Sequence, residues 1–233
     1  MAILAAMQSA SIKLIGRKPG TFFGASGQYE AEICDLINEV AEDVAKYRDW
    51  QDLGRTHTLN GNGTVDSFPL PTDYDRMLQD SDVQDLESWA WGYFRYPNIN
   101  QFLFDQARGF IAQPGGWIIY GGEMQFSPAP ATGATATFPY ITKNWALDDA
   151  DQPKAAFTAD TDSFLLPERL LILALVWRWR ENKKLDASGD QEAFIKALDE
   201  YAAKDGGSRI QRSNARRYFP GTRAAWPRAL GPA

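Results

Sequence analysis

Cysteine and histidine, which carry much of metal and nucleophilic chemistry, are almost absent from this sequence. Its 233 residues include one cysteine, Cys34, and one histidine, His57. A lone cysteine excludes an internal disulfide and disfavours a disulfide-stapled secreted fold. Zinc sites need several cysteine or histidine ligands at close spacing, and the sequence has none of these pairs. His57 lies in a threonine-rich run and Cys34 within a helical pattern, so we expect neither to be catalytic.

Long hydrophobic runs and an excess of positive charge are also missing. The longest apolar run, residues 170–177, has eight residues, whereas a membrane-spanning helix needs about 20. Lysine and arginine number 24 against 30 aspartates and glutamates, which gives a net charge of −6. A chain that binds nucleic acid over its whole surface carries the opposite balance. We therefore expect no membrane partner and no general nucleic-acid binding.

The basic residues concentrate at the C-terminal end. Residues 206–233 contain six arginines, no lysine and no acid, together with glycines and prolines that disrupt helix and strand. Three large aromatic residues lie between the arginines, a combination more typical of protein interfaces than of a solubilising tail. The sequence therefore predicts an extended arm that docks on another protein. Its expected binding residues are Arg209, Arg212, Arg216, Arg217, Tyr218, Phe219, Arg223, Trp226 and Arg228.

Helical periodicity marks the N-terminal part of the chain. Apolar spacing predicts a short helix over residues 3–15, which Gly16 ends, and a longer amphipathic helix over residues 28–48. Ser26 is the expected N-cap of the longer helix because serine accepts the unpaired N–H groups of a first turn.

Two further helices are predicted near the other end. One begins with Pro167 in its first turn and runs to about residue 184, and its middle is apolar on every side. Such a helix needs cover on every side, from the same chain or from neighbouring copies in an oligomer. The next helix begins at a capping box formed by Ser188 and Gln191. The residues expected to form core or subunit packing are Leu170, Leu171, Leu173, Leu175 and Trp177.

Threonine, aromatic residues, glycine and proline dominate the middle of the chain. A hairpin is predicted over residues 57–65, a second around Gly121–Gly122, and a strand over residues 135–138 that ends or reaches a sheet edge at Pro139. A short helix is expected near Asn100. The predicted class is α+β.

We expect three parts in this chain. A helical core is built from residues 1–50 and 160–205, a β-rich insertion of antiparallel hairpins spans residues 51–159, and the extended basic arm spans residues 206–233.

Two residue patterns leave enzymatic or sugar-binding functions open. Closely spaced carboxylates are what a glycosidase requires, and aromatic rings can stack on sugars. In an acidic chain such carboxylates are more often solvated loop charges, and large rings more often fill core or interface. A tail-associated cell-wall glycosidase and a carbohydrate-binding module are therefore the alternative hypotheses. The carboxylates are Asp80 with Asp82, Asp148 with Asp149 and Asp151, and Asp160 with Asp162; the chain has eight tryptophans.

Six short segments, taken in order, resemble one protein family. One of them is Thr-Asp-Ser-Phe-Leu-Leu-Pro-Glu-Arg-Leu-Leu at residues 161–171, which is close to a helix start of that family. Their order over residues 2–200 is similar to that in the head-to-tail adaptor (connector) proteins of tailed bacteriophages, including the tail tubular protein A type. Residues 85–116 depart from the family pattern. The segments are 11–16, 47–53, 68–76, 121–130, 138–140 and 161–171.

The resemblance implies a structural protein of the virion neck, made in the host cytoplasm, with no enzymatic activity and no cofactor. It implies a homo-oligomeric ring, usually a dodecamer, that sits beneath the portal protein, extends the DNA channel and docks the tail or tail nozzle. The basic arm would then be the portal-binding segment. Outside the arm, 18 basic and 30 acidic side chains give a net charge of −12, which suits a wall that lets genomic DNA pass without specific binding.

Overall fold

The structure is a computed structural model that describes residues 2–79, 81–85, 92–109 and 115–206. It confirms the α+β class. The helices in these ranges are α1 (Ile3–Ile15), α2 (Gln28–Lys46), α3 (Ile99–Arg108), α4 (Glu168–Asn182) and α5 (Ser188–Asp205). The strands are β1 (Gly54–Asn60), β2 (Ser67–Pro69), β3 (Tyr74–Met77), β4 (Phe94–Arg95), β5 (Gly116–Tyr120), β6 (Glu123–Ser127), β7 (Thr135–Thr142), β8 (Ala146–Leu147), β9 (Pro153–Lys154) and β10 (Ser163–Phe164).

The chain forms two compact units. The helical unit comprises the described residues within 1–54 and 142–210, and the β-rich unit comprises those within 55–141. The helical unit is thus made from two separate parts of the sequence, and it also contains the small antiparallel sheet with strand order β10-β8-β9.

Helix α4 is the centre of the helical unit. It packs against α1, α2 and α5. The apolar face predicted for α2 is buried, and α1 ends where expected, at Gly16, whose φ of 71° lets its N–H reach the carbonyl of Ile12. Ser26, however, does not cap α2. The N-cap position is Gly27, and the Glu30 carboxylate folds back into the space that a side chain there would need.

The boundaries of α4 and α5 differ slightly from those predicted. Pro167 stands immediately before α4 rather than in its first turn, and α4 ends at Asn182. The predicted capping box is wrong, because Ser188 is the first residue of α5 and not its cap. Its N–H and its hydroxyl both donate to the Asp186 carboxylate, at 3.1 and 2.8 Å, so the preceding aspartate takes the role expected of the serine.

The β-rich unit contains a three-stranded sheet, β1-β7-β3, and a four-stranded sheet, β2-β6-β5-β4. The Gly121–Gly122 hairpin is confirmed: both glycines have positive φ, and Tyr120 pairs with Glu123 across the turn. The expected short helix is α3, which Asn98 caps by accepting the Gln101 N–H at 2.9 Å. The buried core of this unit consists of Leu59, Val83, Tyr93, Trp117, Met124, Phe126, Ala136, Phe138 and Tyr140.

The hairpin predicted over residues 57–65 is wrong. Strand β1 pairs with β7, far along the chain, and residues 64 and 65 are not a strand. The intervening loop is held instead by Asn62, whose side-chain oxygen accepts the N–H groups of Thr64 and Val65 at 3.0 and 2.8 Å. The loop glycines therefore turn the chain toward residues 130–134 rather than into a tight hairpin, with the Gly61 N–H donating to the Ala134 carbonyl.

Pro139 neither ends its strand nor lies at a sheet edge, contrary to the prediction. Strand β7 continues to Thr142 and is the middle strand of its sheet. The Pro139 carbonyl accepts the N–H of Leu78, the residue just after β3, at 3.3 Å. The N–H and C=O groups of one strand residue point toward the same neighbouring strand. The N–H group that Pro139 lacks would therefore point toward the chain just after β3, where that strand has already ended.

Candidate functional site

The predicted packing residues of α4 fall into two groups. Leu170, Leu171 and Leu175 have no exposed surface, whereas Leu173 and Trp177 are half-buried. The Trp177 ring stacks on Phe194 of α5, with centroids 5.5 Å apart and planes at 18°. One chain therefore covers the inner side of α4 completely and leaves part of the opposite side accessible.

A charged cluster that the sequence analysis missed joins α2 to α4. The Arg178 guanidinium lies 3.0 Å from Asp43, 3.3 Å from Glu181 and 3.9 Å from Glu39. Burial of Arg178 acts to lower its pKa, but these carboxylates outweigh it and the pKa is raised. Each partner lies on an exposed helix face, so periodicity alone could not pair them. The cluster fixes two helices to each other and leaves no free carboxylate pair at its centre.

The Asp160 and Asp162 carboxylates hold loops of the helical unit. Asp160 accepts the N–H groups of Phe22 and Phe23, both at 3.1 Å, and the Thr21 hydroxyl. Asp162 is buried and accepts from the Lys154 ammonium at 2.8 Å and from the N–H groups of Thr158 and Ala159. A catalytic carboxylate must face substrate, and these two are occupied by backbone donors.

The other carboxylate groups give a similar picture. Asp148 accepts the N–H groups of Ala150 and Gln152 at 2.9 and 2.7 Å and so closes a turn, while Asp149 and Asp151 are exposed. Asp82 is half-buried, and its partner in sequence, Asp80, lies outside the described residues. In the group of three, Asp148 therefore closes a turn, and Asp149 and Asp151 lie at the surface.

Cys34 and His57 are both half-buried. Burial raises the pKa of the Cys34 thiol to about 11, so the thiol is neutral at physiological pH. The His57 ring packs edge-on against Phe138 at 5.7 Å. Among residues 2–79, 81–85, 92–109 and 115–206, no group of three or more His, Cys, Asp or Glu side chains is placed to hold a metal ion.

The tryptophans within the described ranges lie mainly inside the protein. Trp50, Trp117 and Trp145 are at most 5% exposed, and the Trp50 indole N–H donates to the Val44 carbonyl at 2.8 Å. Trp177 and Trp179 are half-buried between helices. Sugar-binding rings must be exposed, so these positions favour packing. Trp89, Trp91 and Trp226 lie outside the described residues.

The predicted arm residues, from Arg209 to Arg228, all lie outside the described residues. The described chain reaches Gly206, directly after α5. The end of α5 is fixed to the helical unit, because the Asp205 carboxylate accepts the Gln51 N–H at 3.2 Å and lies 3.8 Å from Arg48. The arm therefore starts from an anchored point.

No helix within the described ranges is long and apolar enough to cross a membrane. Among known protein families, the model of one described as SU10 adaptor protein matches residues 3–223 of the chain. This match spans both units and continues into the arm. No curated protein matches the chain.

Proposed function

Since the chain belongs to the SU10 adaptor family of phage head-to-tail adaptors, we propose that it forms a ring between the portal and the tail. The family supports a structural role in the virion neck and contacts with portal and tail components. The single observation that carries the proposal is the family match over residues 3–223, which includes nearly all of the folded chain.

Partly exposed apolar side chains in the helical unit support ring formation. Ile12 and Ile15, on the last turns of α1, are 53% and 36% exposed, and Leu173 of α4 is half-buried. A neighbouring copy that packs here would cover apolar surface that one chain leaves in water. We propose a closed ring, with twelve copies as in the usual family arrangement.

The charge of the body supports a channel that does not hold DNA. Residues 1–205 carry a net charge of −12, and phosphates are repelled by a wall of like charge. In the proposed ring the genome passes through without specific contacts.

The arm is the proposed portal-binding segment. Arginine forms paired hydrogen bonds with carboxylates, and Tyr218, Phe219 and Trp226 would fill apolar slots on the partner. A competing hypothesis is that the arginines bind DNA in the channel. Binding would then follow DNA rather than portal and would fall steeply with salt.

Electron microscopy of the protein mixed with its purified portal tests the proposal. We expect a closed ring seated on one end of the portal, aligned with its channel. A monomer that clears peptidoglycan would support the glycosidase instead, and quenching of tryptophan fluorescence by oligosaccharides would support the carbohydrate-binding module. Either result without portal binding would overturn the adaptor assignment.

A further inference from the structure

Two asparagine–glycine pairs, Asn60–Gly61 and Asn62–Gly63, stand where β1 ends and the following loop begins. Asparagine before glycine is especially prone to deamidation, because glycine has no side chain to hinder attack of its backbone nitrogen on the asparagine amide. Both asparagines are exposed. Their different surroundings in the folded loop therefore decide which of them reacts.

The Asn62 side chain is held by hydrogen bonds that Asn60 lacks. Its Oδ1 accepts the Thr64 N–H at 3.0 Å, the Thr64 hydroxyl at 3.1 Å and the Val65 N–H at 2.8 Å. Within the described ranges, the Asn60 side chain accepts no hydrogen bond. Donors on a carbonyl oxygen polarise its carbon and stabilise the negative charge that develops when a nucleophile adds. The Asn62 amide is thus activated for attack, and the Asn60 amide is not.

The nucleophile that would attack Asn62, the backbone nitrogen of Gly63, is held by another part of the chain. Its N–H donates to the Pro130 carbonyl at 2.9 Å. The Thr132 hydroxyl donates to the backbone carbonyl of Asn62, also at 2.9 Å, and fixes the same contact. Attack requires a nitrogen that has lost its proton and has turned toward the side chain. Residues 130–134 therefore keep the nucleophile away from an activated amide.

We propose that Asn62 is a site of spontaneous deamidation, controlled by the opening of residues 130–134. When this segment opens, base removes the proton of the Gly63 N–H, and the nitrogen forms a bond to Cγ of Asn62. The bond from Cγ to Nδ2 breaks, and Nδ2 leaves as ammonia with a proton from water. Water then adds to the resulting cyclic imide at Cγ and breaks the new bond to nitrogen, which gives aspartate.

The three donors around Oδ1 also favour aspartate over isoaspartate. The cyclic imide can open at Cγ or at the backbone carbonyl of residue 62, and the donors polarise Cγ. The carboxylate that forms accepts the same donors from Thr64 and Val65. These hydrogen bonds are then charge-assisted and stronger than those of the amide. The reaction therefore adds one negative charge to an exposed loop of the β-rich unit and retains the contacts that hold the loop.

Incubation of the full chain at pH 8, followed by peptide mass spectrometry that separates residues 60 and 62, tests the proposal. The test variant is Gly133→Ala. Gly133 has a φ of 85°, where a side chain is strained, and an added Cβ meets no atom within 4 Å, so the change loosens the segment without a clash. The matched control is Gly24→Ala in the helical unit, where φ is 86° and the space is equally open. If Gly133→Ala does not fold, Thr132→Val replaces it, since it removes only the hydroxyl donor.

We expect Asn62 to deamidate about fivefold faster in Gly133→Ala than in the natural chain, because the strain raises the population of the open segment. Gly24→Ala should leave the rate unchanged. In Gly133→Ala, Asn60 should react at least about fivefold more slowly than Asn62, and adding Thr64→Val, which removes one donor to Oδ1, should slow Asn62 about fivefold.

Two results would overturn the inference. Equal acceleration in both glycine variants would show that the opening of residues 130–134 does not control the reaction. Equal rates at residues 60 and 62 in Gly133→Ala would show that the donors around Oδ1 have no effect. Portal binding is not part of this experiment, so either result leaves the adaptor proposal intact.

Discussion

Asp162 shows how one buried carboxylate organises the start of the helical unit. Its side chain is 1% exposed and accepts from Lys154, Thr158 and Ala159, while its backbone carbonyl accepts the Ile3 N–H at 2.7 Å. Burial acts to raise the pKa of the carboxyl, but these donors outweigh burial and the pKa is lowered. The charged form is therefore the one that the folded protein stabilises.

We predict that Asp162→Asn lowers the free energy of unfolding by about 2–4 kcal/mol at pH 7, because it weakens charged hydrogen bonds and leaves Lys154 unpaired. The stabilisation by the Asp162 carboxylate is fully present above the pKa of about 4 that the group has in the unfolded chain. It is lost as the pH falls through the lower pKa that the group has in the folded protein. Urea unfolding at pH 7 and pH 3 should thus show a difference that shrinks at the lower pH. Asp149→Asn, at an exposed site, is the control. A difference equal at both pH values would contradict this account.

Cys34 gives a second prediction from a single side chain. With a pKa of about 11, the thiol has few thiolate ions near neutrality. At pH 8 we expect a disulfide reagent to modify it about 100-fold more slowly than an exposed cysteine, with a rate that rises about tenfold per pH unit. Unfolding in urea should restore the ordinary rate. A rate that levels off below pH 9 in the folded protein would contradict the assignment.

The sequence predicted well those helices and hairpins whose formation depends on residues close together in the chain. The helices α1, α2 and α4 follow from apolar spacing, and the β5–β6 hairpin follows from Gly121–Gly122. The pairing of β1 with β7 was not predicted, because these strands lie more than 70 residues apart and no local pattern links them. The N-cap at Gly27 was missed although it is local, because it depends on how the Glu30 side chain folds back and not on the type of the capping residue.

The same limit applies to the candidate site. The leucines of α4 were predicted from their pattern, but the sequence does not tell which of them one chain buries. The ion pairs from Arg178 to Asp43 and Glu39 cross between helices separated by more than 100 residues. Periodicity shows which helix faces are exposed, but it does not show which of these faces lie close together. That depends on how the helices pack in the folded protein.

Helix α4 allows fold and assembly to be tested separately. Leu175 is completely buried and Leu173 is half-buried. Leu175→Asp should prevent folding, since an unpaired buried carboxylate costs several kcal/mol against a total stability of about 5–15 kcal/mol. Leu173→Asp should leave a folded chain that no longer forms rings with portal. Circular dichroism and electron microscopy distinguish the two. Recovery of folded Leu175→Asp protein would contradict the central position of α4.

At the scale of the whole molecule, the arm is expected to be separable from the body. The last turn of α5 is held by Gln51 and Arg48, so a chain that ends at residue 206 keeps these contacts. Deletion of residues 207–233 should therefore leave thermal unfolding nearly unchanged and abolish portal binding. Trp226→Ala alone should weaken that binding by about tenfold, as loss of one aromatic anchor does. If the truncated chain bound portal with unchanged affinity, the arm would be only a solubilising tail and this prediction would be wrong.

The free protein is expected to be monomeric or weakly associated, and to form its ring only on the portal. The large apolar side chains that the helical unit leaves exposed, such as Ile12 and Ile15, are few, whereas a stable interface buries at least about 1,000 Å². Closure of the ring therefore needs contacts that the portal adds. Mass measurement of the protein at about 10 µM should give the monomer, and portal should convert it to the ring. A stable closed ring without portal would contradict this order of assembly.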